Sequence, residues 1–228
     1  SEEIKARYRS MYTGVFFKRY ILGLWAMAEG IIYDMFDADK HVQKITDFFR
    51  RLKDGERYVS CDYGTQNATV FLLWNKGNNG KWYCVREYYY SGRAKGKQKT
   101  DGEYADDFEK WLDGVPIRAV IVDPAAASFI AELGKRGYRV LKADNDVEDG
   151  IREVASMLNM GLLVFCDTCI NTIMEFGSYI WDEKAAQRGE DRPVKENDHA
   201  MDAVRYFVYT ILSKRTGRVK NKAKYGFD

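Results

Sequence analysis

The chain has 228 residues, of which 46% are hydrophobic and 31% charged, a composition typical of a folded globular protein and unlike that of a disordered or fibrous one. No segment approaches the roughly 18 uninterrupted apolar residues of a membrane span, and no signal peptide stands at the start. The four cysteines lack the pattern of a secreted disulfide scaffold. We therefore expect one principal domain in a cytoplasmic setting with no membrane partner. Because the chain opens at Ser1 and not at methionine, we expect a piece of a longer protein.

The formal net charge of +2 hides an uneven distribution along the chain. Two segments, 93–99 and 214–224, hold four and six Lys or Arg residues and no acidic ones. Setting these ten aside leaves 26 basic residues against 34 acidic ones elsewhere. An acidic body with basic segments suits a protein that gathers cations and grips a polyanion, although ordinary solvated surface explains the same charges.

The first part of the chain is helical and apolar in character. Residues 2–19 have the mixed charge pattern of a helix, and an apolar, aromatic stretch without clear periodicity continues to residue 35. A second helix is expected at 41–52, and the sequence at 53–56 is typical of a turn. We expect residues 1–52 to form a lead-in segment that packs on the main domain.

From residue 57 the pattern changes to short β-rich runs separated by turn residues, which predicts an antiparallel meander. The three runs are 58–62, 68–74 and 82–90. Thr100 and Glu103 have the spacing of a capping box and begin a helix that ends at Gly114. The apolar run at 117–122 predicts a strand buried on both faces, which Asp123 ends.

The remainder of the chain alternates between helices and strands. The predicted helices cover 128–136, 147–160, 168–177 and 198–214, the predicted strands cover 138–142 and 162–165, and a polar loop or hairpin covers 182–195. This order predicts an α/β fold whose mixed central sheet, three antiparallel strands and then parallel strands, is flanked by helices. We expect the main domain to cover 53–213 and a flexible basic tail to cover 214–228.

Two aspartates stand at the ends of predicted strands. Asp62 ends the first strand of the meander, and Asp123 ends the buried strand at 117–122. If these strands are neighbours, both carboxylates emerge at the same end of the sheet. A pair of carboxylates is costly unless a cation neutralises it, so the pair indicates a metal site.

The last predicted helix supplies a third group of candidates. Asp198, His199 and Asp202 are spaced so that His199 and Asp202, and likewise Asp198 and Asp202, share a helix face. Oxygen-rich sites suit Mg²⁺ or Mn²⁺, and two such ions can activate water and stabilise the leaving oxygen of a phosphodiester. Metal-dependent nuclease chemistry is therefore the favoured hypothesis.

Each of these residues also has a structural interpretation. Asp123 before a proline is a common strand terminator, Asp198 is a plausible helix cap, and Asp62 can simply begin a turn. His199 can be a metal ligand, a proton shuttle, a partner of a ligand, or a polar residue that faces solvent.

Four segments, in order along the chain, resemble one known family. The sequences CDYGTQNATVF at 61–71, VIVDPAAASFIAELGKRG at 120–137 and ENDHAMDAVRY at 196–206 are similar to the nuclease domain of bacteriophage terminase large subunits. The sequence GLWAMAEGIIYDMF at 23–36 resembles the stretch that joins the ATPase and nuclease domains of that family.

The resemblance implies a ribonuclease H-like fold and an endonuclease that uses two Mg²⁺ or Mn²⁺ ions to cut concatemeric double-stranded viral DNA during genome packaging in the host cytoplasm. Asp62 matches the family's first-strand aspartate, Asp123 its central-strand acid, and Asp202 the acid of its last helix. His199 belongs to the same segment as Asp202, and Asp198 is a candidate outer ligand. The implied protein partners are the ATPase domain of the same full-length protein, the terminase small subunit and the portal.

The phosphate-binding P-loop of an ATPase, G-x-x-x-x-G-K-[ST], is not present in this sequence. The nearest string, 92–98, is one residue short between its glycines and ends in glutamine. We therefore expect this chain neither to hydrolyse ATP nor to translocate DNA by itself.

The two basic segments are the candidates for binding DNA. Arg93, Lys95, Lys97 and Lys99 alternate, so in an extended arm they lie along one side and can follow a phosphate backbone. In the tail, the candidates for the same role are Lys214, Arg215 and Arg218.

Two other functions fit the same residues. A resolvase or transposase-type nuclease of the same fold would carry a similar acidic cluster. A non-catalytic module that binds DNA or docks on a motor would use its acidic residues structurally.

Overall fold

The computed structural model describes residues 11–213 except 13, 25, 49–51, 65 and 66, together with residues 3 and 6. The strands in these ranges are β1 (Val42–Gln43), β2 (Leu52–Asp62), β3 (Ala68–Gly77), β4 (Trp82–Ser91), β5 (Ala119–Val122), β6 (Val140–Lys142) and β7 (Leu163–Cys166). They form one sheet in the order β1-β7-β4-β3-β2-β5-β6.

The sheet has an antiparallel centre and parallel flanks. Strands β2, β3 and β4 pair antiparallel and form the predicted meander. Strands β5 and β6 continue the sheet in parallel on the β2 side, and β7 and β1 continue it in parallel on the β4 side. The predicted mixed α/β fold is therefore confirmed.

The helices lie between and after these strands. In chain order they are α1 (Gly14–Phe16), α2 (Ala38–His41), α3 (Ile45–Phe48), α4 (Gly92–Lys95), α5 (Asp101–Leu112), α6 (Ala127–Lys135), α7 (Val147–Asn159), α8 (Ile170–Ser178), α9 (Glu183–Ala186) and α10 (His199–Phe207). Helices α1 and α10 each continue into a π-helical turn, Phe17–Ile21 and Val208–Leu212. No described helix is long and apolar enough to cross a membrane.

Helix α5 shows the predicted capping box. The Thr100 hydroxyl accepts a hydrogen bond from the Glu103 amide at 3.2 Å, and the Glu103 carboxylate accepts one from the Thr100 amide at 2.8 Å. These bonds satisfy amide groups that have no partner inside the helix, so this start could be identified from the sequence alone.

The predicted helix at 41–52 is confirmed only at Ile45–Phe48, which forms α3, and the predicted turn at 53–56 is wrong. Residues 42–43 instead form β1, which pairs with Phe165 and Cys166 at the edge of the sheet, and residues 52–56 extend β2. The pairing of β2 with β3 shifts between Leu52 and Arg57, so a bulge absorbs the turn-like residues inside the strand. Local periodicity carries no signal for an edge strand whose pairing partner lies more than a hundred residues later.

The polar segment 182–195 folds back on itself. Asp182 caps the short helix α9 by accepting bonds from the amides of Lys184 and Ala185, and Trp181 pairs with Pro193 in an antiparallel bridge. The segment is thus a closed loop with one helical turn, in keeping with the predicted loop or hairpin.

Alternation along β3 divides the core into two layers. Val70, Leu72 and Trp74 face one layer, where Trp74 stacks on Phe207 with ring centroids 4.4 Å apart. Phe71 faces the other layer, under α5 and α6. Successive strand residues point to opposite faces, so a continuous apolar run buries both sides of the sheet.

The lead-in segment contributes to the first of these layers. Phe16, Ala28, Ile32 and Tyr33 are buried in it, and Tyr33 packs on Phe176 of α8 with ring centroids 5.6 Å apart. These contacts support the proposal that the lead-in packs on the main domain. Residues on both sides of the proposed boundary at residue 52 share one hydrophobic core.

Candidate active site

Asp62 and Asp123 lie at the same end of two adjacent strands. Strands β2 and β5 are parallel, and Cys61 is in register with Val122. The residues that follow these two are Asp62 and Asp123. Parallel strands end at the same edge of a sheet, so the two strands are the neighbours that the predicted site needs. The two strand-end aspartates are therefore neighbours in the sheet.

Asp123 is fixed by hydrogen bonds from three sides. Its Oδ1 accepts a bond from the Ala125 amide at 2.7 Å, and its Oδ2 accepts one from the Tyr206 hydroxyl at 2.8 Å. The side-chain amide of Asn145 lies 3.4 Å from the same Oδ2. The carboxylate is thus oriented by its own turn, by the loop after β6, and by the last helix.

Asp62 is paired with a histidine of α10, which packs across β2 and β3. His199 Nδ1 lies 2.9 Å from Asp62 Oδ2, and the Asp62 side chain is only 15% exposed. Burial raises the pKa of Asp62 to about 6, with a further increase from the charges of Asp202 and Asp198, although the bond from His199 opposes the rise. A buried carboxylate of this kind is stabilised by binding a proton or by a cation beside it.

The pKa of His199 is raised by its partner. Burial alone would lower it, but the hydrogen bond and the negative charge of Asp62 outweigh that effect. His199 therefore does not face solvent as an isolated residue of the first helical turn. Its imidazole and the Asp62 carboxylate form a pair that binds a proton between them.

Asp202 and Asp198 form the third corner of the site and are neutralised by cations of the chain itself. Asp202 Oδ1 accepts a bond from Arg205 Nη2 at 2.8 Å, and its Oδ2 accepts one from Lys195 Nζ at 3.1 Å. The same Lys195 nitrogen lies 2.9 Å from Asp198 Oδ2. Asp198 precedes α10, but its side chain does not cap the helix.

Glu175 holds the start of α10 and was not identified from the sequence. Its Oε2 accepts bonds from the amides of Ala200 and Met201 at 2.7 and 3.2 Å, and its Oε1 accepts one from the Tyr89 hydroxyl at 2.9 Å. Burial raises the pKa of Glu175 to about 7, against the opposing effect of these bonds. The cap comes from another helix, so no spacing within 198–214 could reveal it.

A cleft of about 430 Å³ opens over these side chains. Acidic residues Asp62, Asp198 and Asp202 line one part of it with His199 and Lys195, while Arg93, Asn67 and Ser91 line another part. Acidic and basic groups thus meet in one cleft, with Asp123 beside Asp62 on the neighbouring strand end.

The donor atoms of this site suit a hard divalent ion only in part. In the portion of the chain that the structure describes, no three His, Cys, Asp or Glu side chains converge in a ready-made metal cage. Asp198 is paired with Lys195, and Asp202 is paired with Lys195 and Arg205. The Asp62 and Asp123 pair fits Mg²⁺, which keeps several waters and takes one or two carboxylates.

The prediction that residues 93–99 form an extended arm is wrong. Residues 92–95 form α4, which Ser91 caps and which ends at Gly96 with a φ of 65°. A glycine readily adopts this left-handed conformation, so the chain reverses there and the alternating residues do not share one side. Residues 92–95 therefore form a helical turn, and residues 97–99 follow the reversal without regular secondary structure.

The four basic residues of this segment have different environments. Arg93 lines the acidic cleft, and Lys97 lies 3.6 Å from Glu103. Lys99 is paired with Asp107, and its ammonium lies 4.1 Å above the Tyr90 ring. Lys95 is exposed on α4. The tail candidates Lys214, Arg215 and Arg218 lie outside the described residues.

A mixed sheet with this strand order, flanked by helices and carrying carboxylates at the ends of β2 and β5, defines a ribonuclease H-like domain. Residues 62–210 match the family model of the terminase RNaseH-like domain, which covers more than half of the chain. The chain belongs to this family.

Relatives with known names agree with this assignment. The large terminase of a thermophilic bacteriophage is 56% identical, with a TM-score of 0.88 over 93% of this chain and 53% of that one. The terminase large subunit of Escherichia phage T5 is 26% identical over 82% of this chain and 43% of its own length. The chain therefore spans about half the length of these relatives.

A more distant structure shares the fold. It is the large terminase nuclease of thermophilic phage G20c with bound magnesium, which is 12% identical with a TM-score of 0.58 over 82% of this chain and 99% of that one.

Proposed function

We propose that this chain is a metal-dependent endonuclease that hydrolyses phosphodiester bonds of double-stranded viral DNA concatemers during genome packaging. The observation that carries the proposal is the placement of Asp62 and Asp123 on adjacent parallel strand ends, with Asp62, His199 and Arg93 lining one cleft. Membership of the terminase family and the relatives of phage origin support the choice of DNA packaging in the host cytoplasm.

Asp62 and Asp123 would hold the Mg²⁺ or Mn²⁺, and Asp202 with Asp198 would serve a second ion. Divalent ions bound there supply a nucleophilic water at neutral pH and stabilise charge on the phosphate oxygens. The bound magnesium of the G20c nuclease supports the choice of metal.

The protein side chains prepare the site for this chemistry. Tyr206 and the Ala125 amide orient the Asp123 carboxylate, and His199 orients Asp62 through Nδ1, which leaves Nε2 as the ring nitrogen that can take or return a proton. Arg93 stands on the wall of the cleft, where it can bind a phosphate of the DNA backbone. These hydrogen-bond donors hold the two carboxylates in position before the substrate binds.

The rest of the packaging machine would lie outside this chain. The chain covers about half of the 56% identical large terminase and of its T5 counterpart, which supports an ATPase domain in the same full-length protein. The terminase small subunit and the portal are the further partners that we propose. Family membership favours this role over a resolvase or transposase-type nuclease.

A plasmid-cleavage assay tests the proposal. We expect the chain to cut supercoiled DNA in Mn²⁺ or Mg²⁺ and not in EDTA, and we expect Asp62→Asn and Asp123→Asn each to abolish cutting while retaining the fold. Asp106→Asn is the matched control, because Asp106 is an exposed carboxylate paired with Arg136 away from the cleft. Intact plasmid under all metal conditions would instead favour the non-catalytic module.

A further inference from the structure

The ammonium group of Lys195 lies between two acidic side chains of the proposed metal site. Its Nζ is 2.9 Å from Asp198 Oδ2 and 3.1 Å from Asp202 Oδ2. The side chains of these acids are only 6% and 10% exposed, whereas that of Lys195 is 63% exposed. One solvent-accessible cation therefore bridges two nearly buried carboxylates.

This arrangement divides the acidic residues of the proposed metal site into two groups. Asp62 and Asp123 are bound by a histidine, a tyrosine and backbone or amide donors, none of which is a fixed cation. Asp202 and Asp198 are instead bound by Lys195 and, through the other oxygen of Asp202, by Arg205. A divalent ion meets permanently charged side chains in the second group, whereas His199 in the first group carries a charge only when it is protonated.

The two cations of the second group differ in how readily they can move. Arg205 is 2% exposed and donates from Nη1 to the carbonyl oxygens of Asn145 and Asp146 at 2.8 and 3.2 Å, so it is fixed. Lys195 follows the Trp181 to Pro193 bridge and carries its ammonium on a flexible four-carbon stem. Withdrawal of Lys195 would expose both carboxylates without unpacking the core.

We propose that Lys195 is a resident cation that occupies the place of a second divalent ion and so sets the metal stoichiometry of the DNA-free protein. The inference rests on the proposed metal-dependent function and adds a residue that regulates the same site. In the free protein one ion binds at Asp62 and Asp123, and a second binds at Asp198 and Asp202 only when Lys195 is displaced. Buried carboxylates without a counter-charge are costly, so removal of the lysine leaves a site that recruits a metal ion.

Mn²⁺ titration followed by calorimetry tests this inference without any measurement of cleavage. We expect the parent chain to bind one Mn²⁺ tightly, and we expect Lys195→Met to bind a second at concentrations lower by roughly tenfold or more, because a nearby opposing charge has been removed. Lys195→Arg should behave like the parent chain. The matched control is Lys135→Met, which removes an exposed lysine at the far end of α6.

Melting temperatures provide a second readout and a check of folding. In EDTA, Lys195→Met should melt below the parent chain, and Mn²⁺ should raise its melting temperature by more than it raises that of the parent. Lys195→Gln serves as a second neutral variant if the methionine variant does not fold.

The outcomes separate the two proposals. Unchanged Mn²⁺ stoichiometry and affinity in both neutral variants would overturn the role of Lys195 while the nuclease proposal stands. Weaker DNA binding in EDTA with an unchanged Mn²⁺ isotherm would overturn it as well and would make Lys195 a phosphate contact. A parent chain that binds no Mn²⁺ would instead defeat the metal-dependent function itself.

Discussion

Asp123 depends on one side chain of α10 for part of its orientation. The Tyr206 hydroxyl donates to Asp123 Oδ2 at 2.8 Å, and the Tyr206 side chain is nearly buried. Residues that orient a metal-binding carboxylate are important for affinity and activity even though they do not touch the metal. Tyr206 is therefore a positioning residue of the proposed site.

The substitution Tyr206→Phe should lower metal-dependent plasmid cleavage by roughly 10- to 100-fold, because it removes this bond and keeps the ring. Mn²⁺ affinity, measured by calorimetry, should fall in parallel. Tyr209→Phe is the control, since Tyr209 lies on the following turn and its hydroxyl bonds to Asp149 at 3.2 Å. Equal cleavage rates and equal Mn²⁺ affinities for the two variants would remove Tyr206 from the site.

At this scale the sequence predicts some site residues and not others. Asp62 and Asp123 follow from strand ends, because the end of an apolar run is visible in the chain. Glu175 and Lys195 do not, because their role depends on how α8 and the 182–195 segment pack against α10. Pairing between distant segments is a tertiary property, and spacing along one segment does not encode it.

At the scale of elements, α7 and α10 meet at a glycine. A methyl group at Gly150 would lie 2.5 Å from Cγ and 2.7 Å from Cδ of Arg205. Arg205 is fixed by its bonds to Asp202 and to the loop before α7, so it has no free direction in which to move. Gly150 thus provides the space for the arginine that anchors Asp202.

The substitution Gly150→Ala should destabilise the fold by about 2 kcal/mol, because it overpacks a rigid contact. Plasmid cleavage should also fall, since Arg205 and Asp202 shift together. Gly134→Ala in α6 is the matched control: nothing lies within 4 Å of its added methyl group, and a gain of about 0.5 kcal/mol is expected. Urea denaturation measures both, and equal effects of the two substitutions would contradict this packing.

Elements with a local signal were predicted well, and those that depend on tertiary pairing were not. The capping box at Thr100 and the apolar run of β5 lie within one segment of sequence. Strand β1 has two residues and exists through its pairing with β7, and α4 replaces an expected extended arm through the reversal at Gly96. Alternating charge alone does not fix a backbone conformation.

At the scale of the whole molecule, basic residues lie beside the acidic site, as the proposed contact with DNA requires. Arg93 faces the cleft and Lys95 is exposed nearby, whereas Lys99 is engaged with Asp107 and Tyr90. Of the four basic residues at 93–99, we therefore expect Arg93 and Lys95 to contribute most to DNA binding.

Replacing both Arg93 and Lys95 with Glu should weaken binding to duplexes of any sequence and reduce the slope of log affinity against log salt by roughly two, one for each lost phosphate contact. Binding is measured in EDTA, by fluorescence anisotropy over a range of salt concentrations. Lys40→Glu combined with Lys135→Glu is the control for net charge, because it makes the same total change at two exposed lysines outside the cleft. A loss confined to particular DNA sequences would argue against contacts with the backbone.

We have proposed that Asp62 and Asp123 together hold a catalytic divalent ion. Anomalous diffraction from crystals soaked in Mn²⁺ tests it most directly, with crystals of Asp62→Asn and Asp123→Asn for comparison. We expect an anomalous peak within coordinating distance of both carboxylates, and we expect each variant to lose it. A peak that persists in both variants, or no peak beside these strand ends, would contradict it.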